Sequence, residues 1–137
     1  MIQDFQQAKG RGMDVQKQIE YWREGAEEEL EVAGDLLEKK RYRHALLFCH
    51  LALEKMIKAH VARATLDFPP KIHNLIKLAQ IARLDLPPDK MDYLRTINPF
   101  QLIGRYPDEI AREIPAVDAL RDYYTAKEML QWLKAQL

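Results

Sequence analysis

Apolar residues recur at helical spacing through most of this chain, and the recurrences differ in width. The broadest covers residues 41–66, RYRHALLFCHLALEKMIKAHVARATL. Tyr42, Ala45, Cys49, Ala52, Met56 and Ala59 make one stripe; Leu46, Leu53 and Ile57 widen it, and Leu47, Phe48 and Leu51 carry it most of the way round. A helix that is apolar on several sides must be packed on several sides, so this segment is expected at the centre of the fold. One narrow row stays polar. His50, Glu54 and Lys58 stand four residues apart and project along one line of the helix. That row is expected to remain an uncovered charged edge.

The flanking segments have narrower stripes. A first helix is predicted from near Asp14, a suitable N-cap, with Val15, Ile19, Trp22, Ala26, Leu30, Ala33 and Leu37 on its inner face. Its basic end, Lys39-Lys40-Arg41, suits the negative pole of a helix. Gly25 and Gly34 lie inside it, either to admit a close neighbour or as tolerated defects. No Gly, Pro or Asn separates residues 38 and 45. A tight turn is nevertheless expected at residues 40–42, because one straight helix over residues 14–66 would have nothing to pack against. The double proline in Asp67-Phe68-Pro69-Pro70 ends the central helix.

A third helix is predicted from just after Pro70 to about Arg83, with Ile72, Leu75, Ile76, Ala79 and Ala82 inward. Leu84-Asp85-Leu86-Pro87-Pro88 repeats the proline break, and Pro88 opens a short fourth helix that buries Met91, Leu94 and Ile97 and ends at Asn98-Pro99. Residues 100–115 keep no period but are too apolar for a free linker, so they read as an ordered loop crossing the end or side of the bundle. A last helix covers residues 116–137, with Ala119 or Leu120, Tyr123, Ala126, Leu130, Leu133 and Leu137 inward and Trp132 at an edge or interface. Nothing alternates at period two between turn signals, so no strand is expected. The predicted fold is all-α: an up-and-down bundle of four long helices plus one short helix, in a single domain over residues 1–137. Residues 1–12 form a loose arm with a short helical piece around Phe5.

Composition adds bounds rather than identity. The 137 residues suffice for one domain, and 47% apolar with 31% charged residues describes a globular chain. No apolar run reaches the roughly 18 residues that span a bilayer, and the N-terminus lacks a secretory core, so a cytoplasmic, non-membrane protein is expected. Cys49 stands alone, which excludes an intrachain disulfide and a cysteine-rich metal site; its place on the apolar stripe favours a buried, inert thiol. Lys+Arg and Asp+Glu are both 21, so global charge does not drive nucleic-acid binding. The distribution is uneven. Glu20, Glu24, Glu27, Glu28, Glu29, Glu31, Asp35 and Glu38 make the first helix acidic, whereas Lys39, Lys40, Arg41, Arg43, Lys55, Lys58, Arg63, Lys71 and Lys77 make the middle basic.

Most catalytic constellations are missing. There is no Glu-x-x-His pair for a carboxylate-bundle metal site, and His44, His50, His60 and His73 fall at mixed phases. The chain contains no serine, and Gly10-Arg11-Gly12 is neither a P-loop nor a dinucleotide loop. A polar set remains: His50, Glu54 and Lys58, then Arg63, then His73-Asn74, then Arg105-Tyr106-Pro107-Asp108. Arg and Lys clamp phosphate, Tyr106 can stack on a base or a guanidinium, and a His beside an Arg can move a 2′-hydroxyl proton of RNA. Each also has a plainer role. Lys55 and Lys58 can snorkel off a core helix, His73 can satisfy backbone groups at a helix start, and Arg105 can pin its loop through Asp108 or Glu54.

In their order and spacing these residues resemble the HEPN family of small helical proteins. Trp22 and Ala26 match its opening helix. Tyr42-x-x-Ala45-Leu46-Leu47-Phe48 and Ala52-x-Glu54-Lys55-x-x-Lys58-Ala59 resemble its central signature. Pro70-x-x-His73-Asn74-Leu75 is similar to its proline–His–Asp–Leu stretch, with Asn74 in place of Asp; Arg105-Tyr106-Pro107 matches its Arg-Tyr-Pro loop, and residues 126–133 fit its last helix. The resemblance implies a helical bundle, usually dimeric, often paired with a minimal nucleotidyltransferase in a toxin–antitoxin-like arrangement. Some members are metal-independent ribonucleases, with an Arg followed after a few residues by a His near the last helices. Here no His follows Arg105, and Arg63 and His73 are ten apart on other helices.

The expected function is therefore a non-catalytic nucleotide- or nucleic-acid-associated module: a homodimer working with a nucleotidyltransferase. It needs no cofactor beyond a nucleotide ligand. Lys58, Arg63 and Arg105 would meet phosphate, Glu54 would orient Arg105, and His73 and Tyr106 would complete the site. The alternatives are a metal-independent ribonuclease with an altered site, in which His73 is essential, and a purely protein-interacting helical dimer.

Overall fold

Five α-helices and one 3-10 turn form where the apolar periods place them, in a computed structural model that describes residues 14–102 and 113–137. Helix α1 covers Val15–Glu38; the Asp14 carboxylate caps it by accepting from Gln16 N at 3.0 Å. Helix α2 covers Tyr42–Thr65, α3 Leu75–Ile81, α4 Pro88–Ile97 and α5 Ala116–Ala135, with the 3-10 turn Asn98–Leu102 following α4. Among the described residues there is no strand, and no helix is long and apolar enough to cross a membrane.

The break between α1 and α2 lies at the expected turn. Lys40 adopts the left-handed conformation at φ 61°, while Lys40 N donates to Leu37 O and Arg41 N to Leu36 O. These bonds satisfy the last carbonyls of α1 and reverse the chain without a glycine. Leu66 and Arg83, at φ 58° and 56°, end α2 and α3 in the same left-handed conformation.

Helix α2 is the centre. Fourteen of its 24 residues are buried, against four of 24 in α1, so α2 is enclosed and α1 covers it with one face. It packs against α1, α3, α4, α5 and the 3-10 turn. Leu46, Leu53, Met56 and Ile57 are fully buried, each contributing about 1.5–3 kcal/mol by leaving water. Helix α1 meets α2 through small side chains, Ala26 and Ala33, both with no exposed surface. Its glycines clear space. A Cβ on Gly25 would lie 3.1 Å from Lys55 Cδ, and one on Gly34 would lie 3.0 Å from the Tyr123 hydroxyl. Lys55 thereby lays its stem over Gly25 and reaches Glu29 on α1 at 3.2 Å, with part of the side chain still in water. Helix α5 runs antiparallel to α1, with Tyr123 beside Gly34 and Lys134 paired with Glu27. Trp132 is half-buried at the edge of the bundle with the Lys90 ammonium 5.3 Å from its ring centre.

Two elements depart from the periodic expectation. Helix α3 starts at Leu75 rather than after Pro70 because Asn74 is its cap: Asn74 Oδ1 accepts from Ile76 N and Lys77 N at 3.0 and 3.1 Å. A capping side chain holds its own backbone extended, which keeps residues 71–74 out of the helix. The chain also continues past Ile97 as a 3-10 turn that buries Phe100, and within α4 Tyr93 is more deeply buried than Met91. Residues 1–12 and most of the late loop, including Arg105 and Tyr106, lie outside the described residues.

Candidate functional site

The polar row of α2 is covered, not open. His50, Glu54 and Lys58 retain 0%, 5% and 6% of their surface. Charges are buried at this depth only when paired, and Glu54 is the common partner. Its carboxylate accepts from Lys58 Nζ at 3.0 Å and from His73 Nδ1 at 3.1 Å. The Lys58 ammonium also lies 5.4 Å from the centre of the Trp22 ring, a cation–π contact that draws α1 into the network.

His73 reaches Glu54 from the segment between α2 and α3. Asn74 caps α3, and Asn98 Oδ1 accepts from Leu75 N at 3.0 Å, so the first donors of α3 are already satisfied. The His73 side chain is thus released from the backbone role and turns to the carboxylate. It is the exposed member of the cluster, at 42% of its side-chain surface. Through Nδ1 it is oriented as a histidine held by a carboxylate, the arrangement that fixes a tautomer in acid–base catalysis.

His50 sits one turn below. Neither ring nitrogen makes a hydrogen bond among the described residues, and Glu54 Oε1 is 3.7 Å from Nδ1. Burial holds its imidazole below the ordinary value, against the opposing pull of Glu54, the Asn98 side chain and the His73 backbone. His50 is therefore neutral at pH 7 and does not add to the charge of the cluster.

Arg63 is placed elsewhere. Its guanidinium donates to Gln136 O at 2.7 Å, and His60 Nε2 donates to Leu133 O at 2.7 Å. Together they satisfy carbonyls at the C-terminal end of α5, a role consistent with cationic and donor groups at that pole. The structure thus brings Glu54, Lys58 and His73 together and separates Arg63 from them. Cys49 has no exposed surface, and burial pushes its thiol up to about 12, which leaves it protonated and unreactive. Among the described residues no group of His, Cys, Asp and Glu could hold a metal ion. A cavity of about 470 Å³ along α1 is lined by Glu24, Glu27, Glu28 and Glu31 with Lys55 of α2, an excess of acid that disfavours phosphate.

The HEPN domain family model matches residues 19–136, from the second turn of α1 to the residue that caps α5. The chain belongs to the HEPN domain family. The crystal structure of an archaeal HEPN homologue is similar in fold, with a TM-score of 0.68 at 23% identity, over 86% of this chain and 96% of that one. A comparison with curated proteins gives no match. In this HEPN domain Glu54, Lys58 and His73 form one bonded unit across two segments, and the Asn74 amide caps α3.

Proposed function

We propose that this HEPN domain is a nucleotide- or nucleic-acid-associated module, acting as a homodimer with a nucleotidyltransferase partner in a toxin–antitoxin-like pair. The observation that supports it is the meeting of Lys58 and His73 on one carboxylate, with His73 reaching solvent. Lys58 does not meet the ligand directly in this reading. It neutralises Glu54, and Glu54 aims His73, which meets the ligand together with Arg105 and Tyr106. Dimerisation is supported by Val117, Leu120 and Tyr124, which lie on one face of α5 at three- and four-residue spacing and are 71%, 42% and 56% exposed. Calorimetric titration of ATP and of a short RNA into wild type and Arg105→Ala tests the ligand claim. Heat with wild type that falls in the variant is expected; equal silence in both removes the ligand.

One observation favours a second reading. A histidine held by a buried carboxylate is the geometry of a general base, and it suits a metal-independent ribonuclease with an altered site. That reading expects RNA to be cut in EDTA and cutting to vanish in His73→Ala. Intact RNA after incubation with wild type rejects it.

A further inference from the structure

The turn between α1 and α2 carries an exposed run of positive charge. Residues 39–44, KKRYRH, carry four Lys and Arg side chains and no acid, with Tyr42 among them. The left-handed Lys40 folds the chain back on itself, so cations leaving the turn and the first turn of α2 share one space. Lys40, Arg41, Tyr42, Arg43 and His44 line an open cavity of about 380 Å³, together with Glu113 and Ile114. Lys39, Lys40, Arg41, Arg43 and His44 are exposed. Part of this charge complements the C-terminal pole of α1. One pole, equivalent to about half an elementary charge, does not call for Lys39, Lys40 and Arg41 together. Among the described residues, Glu113 is the acid on the cavity wall.

We infer that this cavity is a phosphate-binding contact for single-stranded nucleic acid, with Lys40 and Arg41 on the backbone and the Tyr42 ring available to a base. The inference rests on the nucleic-acid reading above and adds a second site to it. Cations with an aromatic ring among them are the pattern that holds single strands without reading their sequence. The first N–H groups of α2 have no side-chain cap and add to the attraction. In water that helix end alone binds an anion weakly; the side chains supply the charge.

Fluorescence anisotropy of a short labelled uridine-rich RNA, and of the matching DNA strand, tests this over a range of salt concentrations with the full chain. Both strands are expected to bind wild type, because the contact is to phosphate. In Lys40→Gln/Arg41→Gln the affinity falls for both, and the slope of log affinity against log salt becomes shallower by about 1.4, two contacts at about 0.7 each. Arg41→Glu alone, at a residue with ordinary negative φ, gives the same direction and covers the case in which the double variant fails to fold. Unchanged affinity and slope in folded variants overturn this site and leave nucleic-acid association standing. Failure of wild type to bind either strand overturns the site; if ATP is also silent, the ligand reading above falls with it.

Discussion

Replacing Glu54 by Gln removes one charge from the centre of the molecule and leaves its shape. The amide can still accept one hydrogen bond from Lys58 or His73, but it cannot neutralise a buried ammonium. Lys58 is 6% exposed, so it would remain as an uncompensated charge. Breaking one side of a buried pair costs about 3–5 kcal/mol. Two effects reduce this. The Trp22 ring, 5.4 Å away, returns about 0.5–2 kcal/mol, and the lysine stem can extend toward water. The expected net loss is about 2–3 kcal/mol, against a total stability of about 5–15 kcal/mol for a domain of this kind. The melting temperature should fall by about 5–10 °C. Urea denaturation followed by circular dichroism at 222 nm (the helical band) reads the loss, with the slope against urea unchanged. Lys58→Met leaves Glu54 bonded to His73, and the double variant Glu54→Gln/Lys58→Met should be more stable than the sum of the single losses by about 1–3 kcal/mol. If Glu54→Gln stays within about 0.5 kcal/mol of wild type, or the two losses simply add, the buried network does not hold α2 as argued.

Three further outcomes follow from the same structure. His50 and His60 are both held below the ordinary histidine value, chiefly by burial, so the unfolded chain takes up their protons first as pH falls. Their contribution is fully present above about 6.5, the ordinary value, and is lost as pH falls below it. The fall approaches about 1.4 kcal/mol per pH unit for each group and should be shallower in His50→Gln; equal slopes in denaturation series at pH 7.5 and 5 count against burial as the cause. Leu66 is left-handed at φ 58° and 70% exposed, so Leu66→Gly should raise stability by about 0.5–1 kcal/mol in urea melts, and a loss shows the position is not strained. Tyr124→Asp should convert a dimer to a monomer in sedimentation velocity; a variant that sediments with wild type places the interface elsewhere.

The parts of this fold legible in the sequence are those written by local rules. Double prolines at Pro69-Pro70 and Pro87-Pro88 interrupt the helices, and Pro88 opens α4 as its fixed φ allows. The broad stripe of α2 announced a helix packed from several sides. The helix ends were harder, because Lys40, Leu66 and Arg83 occupy left-handed positions where glycine is the usual signal. Asn74, the cap of α3, is outweighed in the sequence by the earlier Pro70, which offers a competing start. The polar row was found and its environment was not. Its cover comes from His73, nineteen residues away, and from Trp22 on α1, and no helical period reports which distant side chain will close over a charge. Arg63 and His60 likewise found partners in α5, seventy-three residues on, through carbonyls that carry no mark in the sequence.

The four histidines are built-in reporters of the central claim, that Glu54 holds His73 at the surface to meet a nucleotide or nucleic-acid ligand. His60 is occupied at the end of α5 and His50 is buried, while His73 is the cluster's exposed member. In a ¹H–¹³C spectrum of the imidazole rings recorded during titration with ATP or a short RNA, His73 should shift and saturate while His60 stays fixed. A ligand that binds by anisotropy or calorimetry and leaves the His73 signals unmoved would contradict the account.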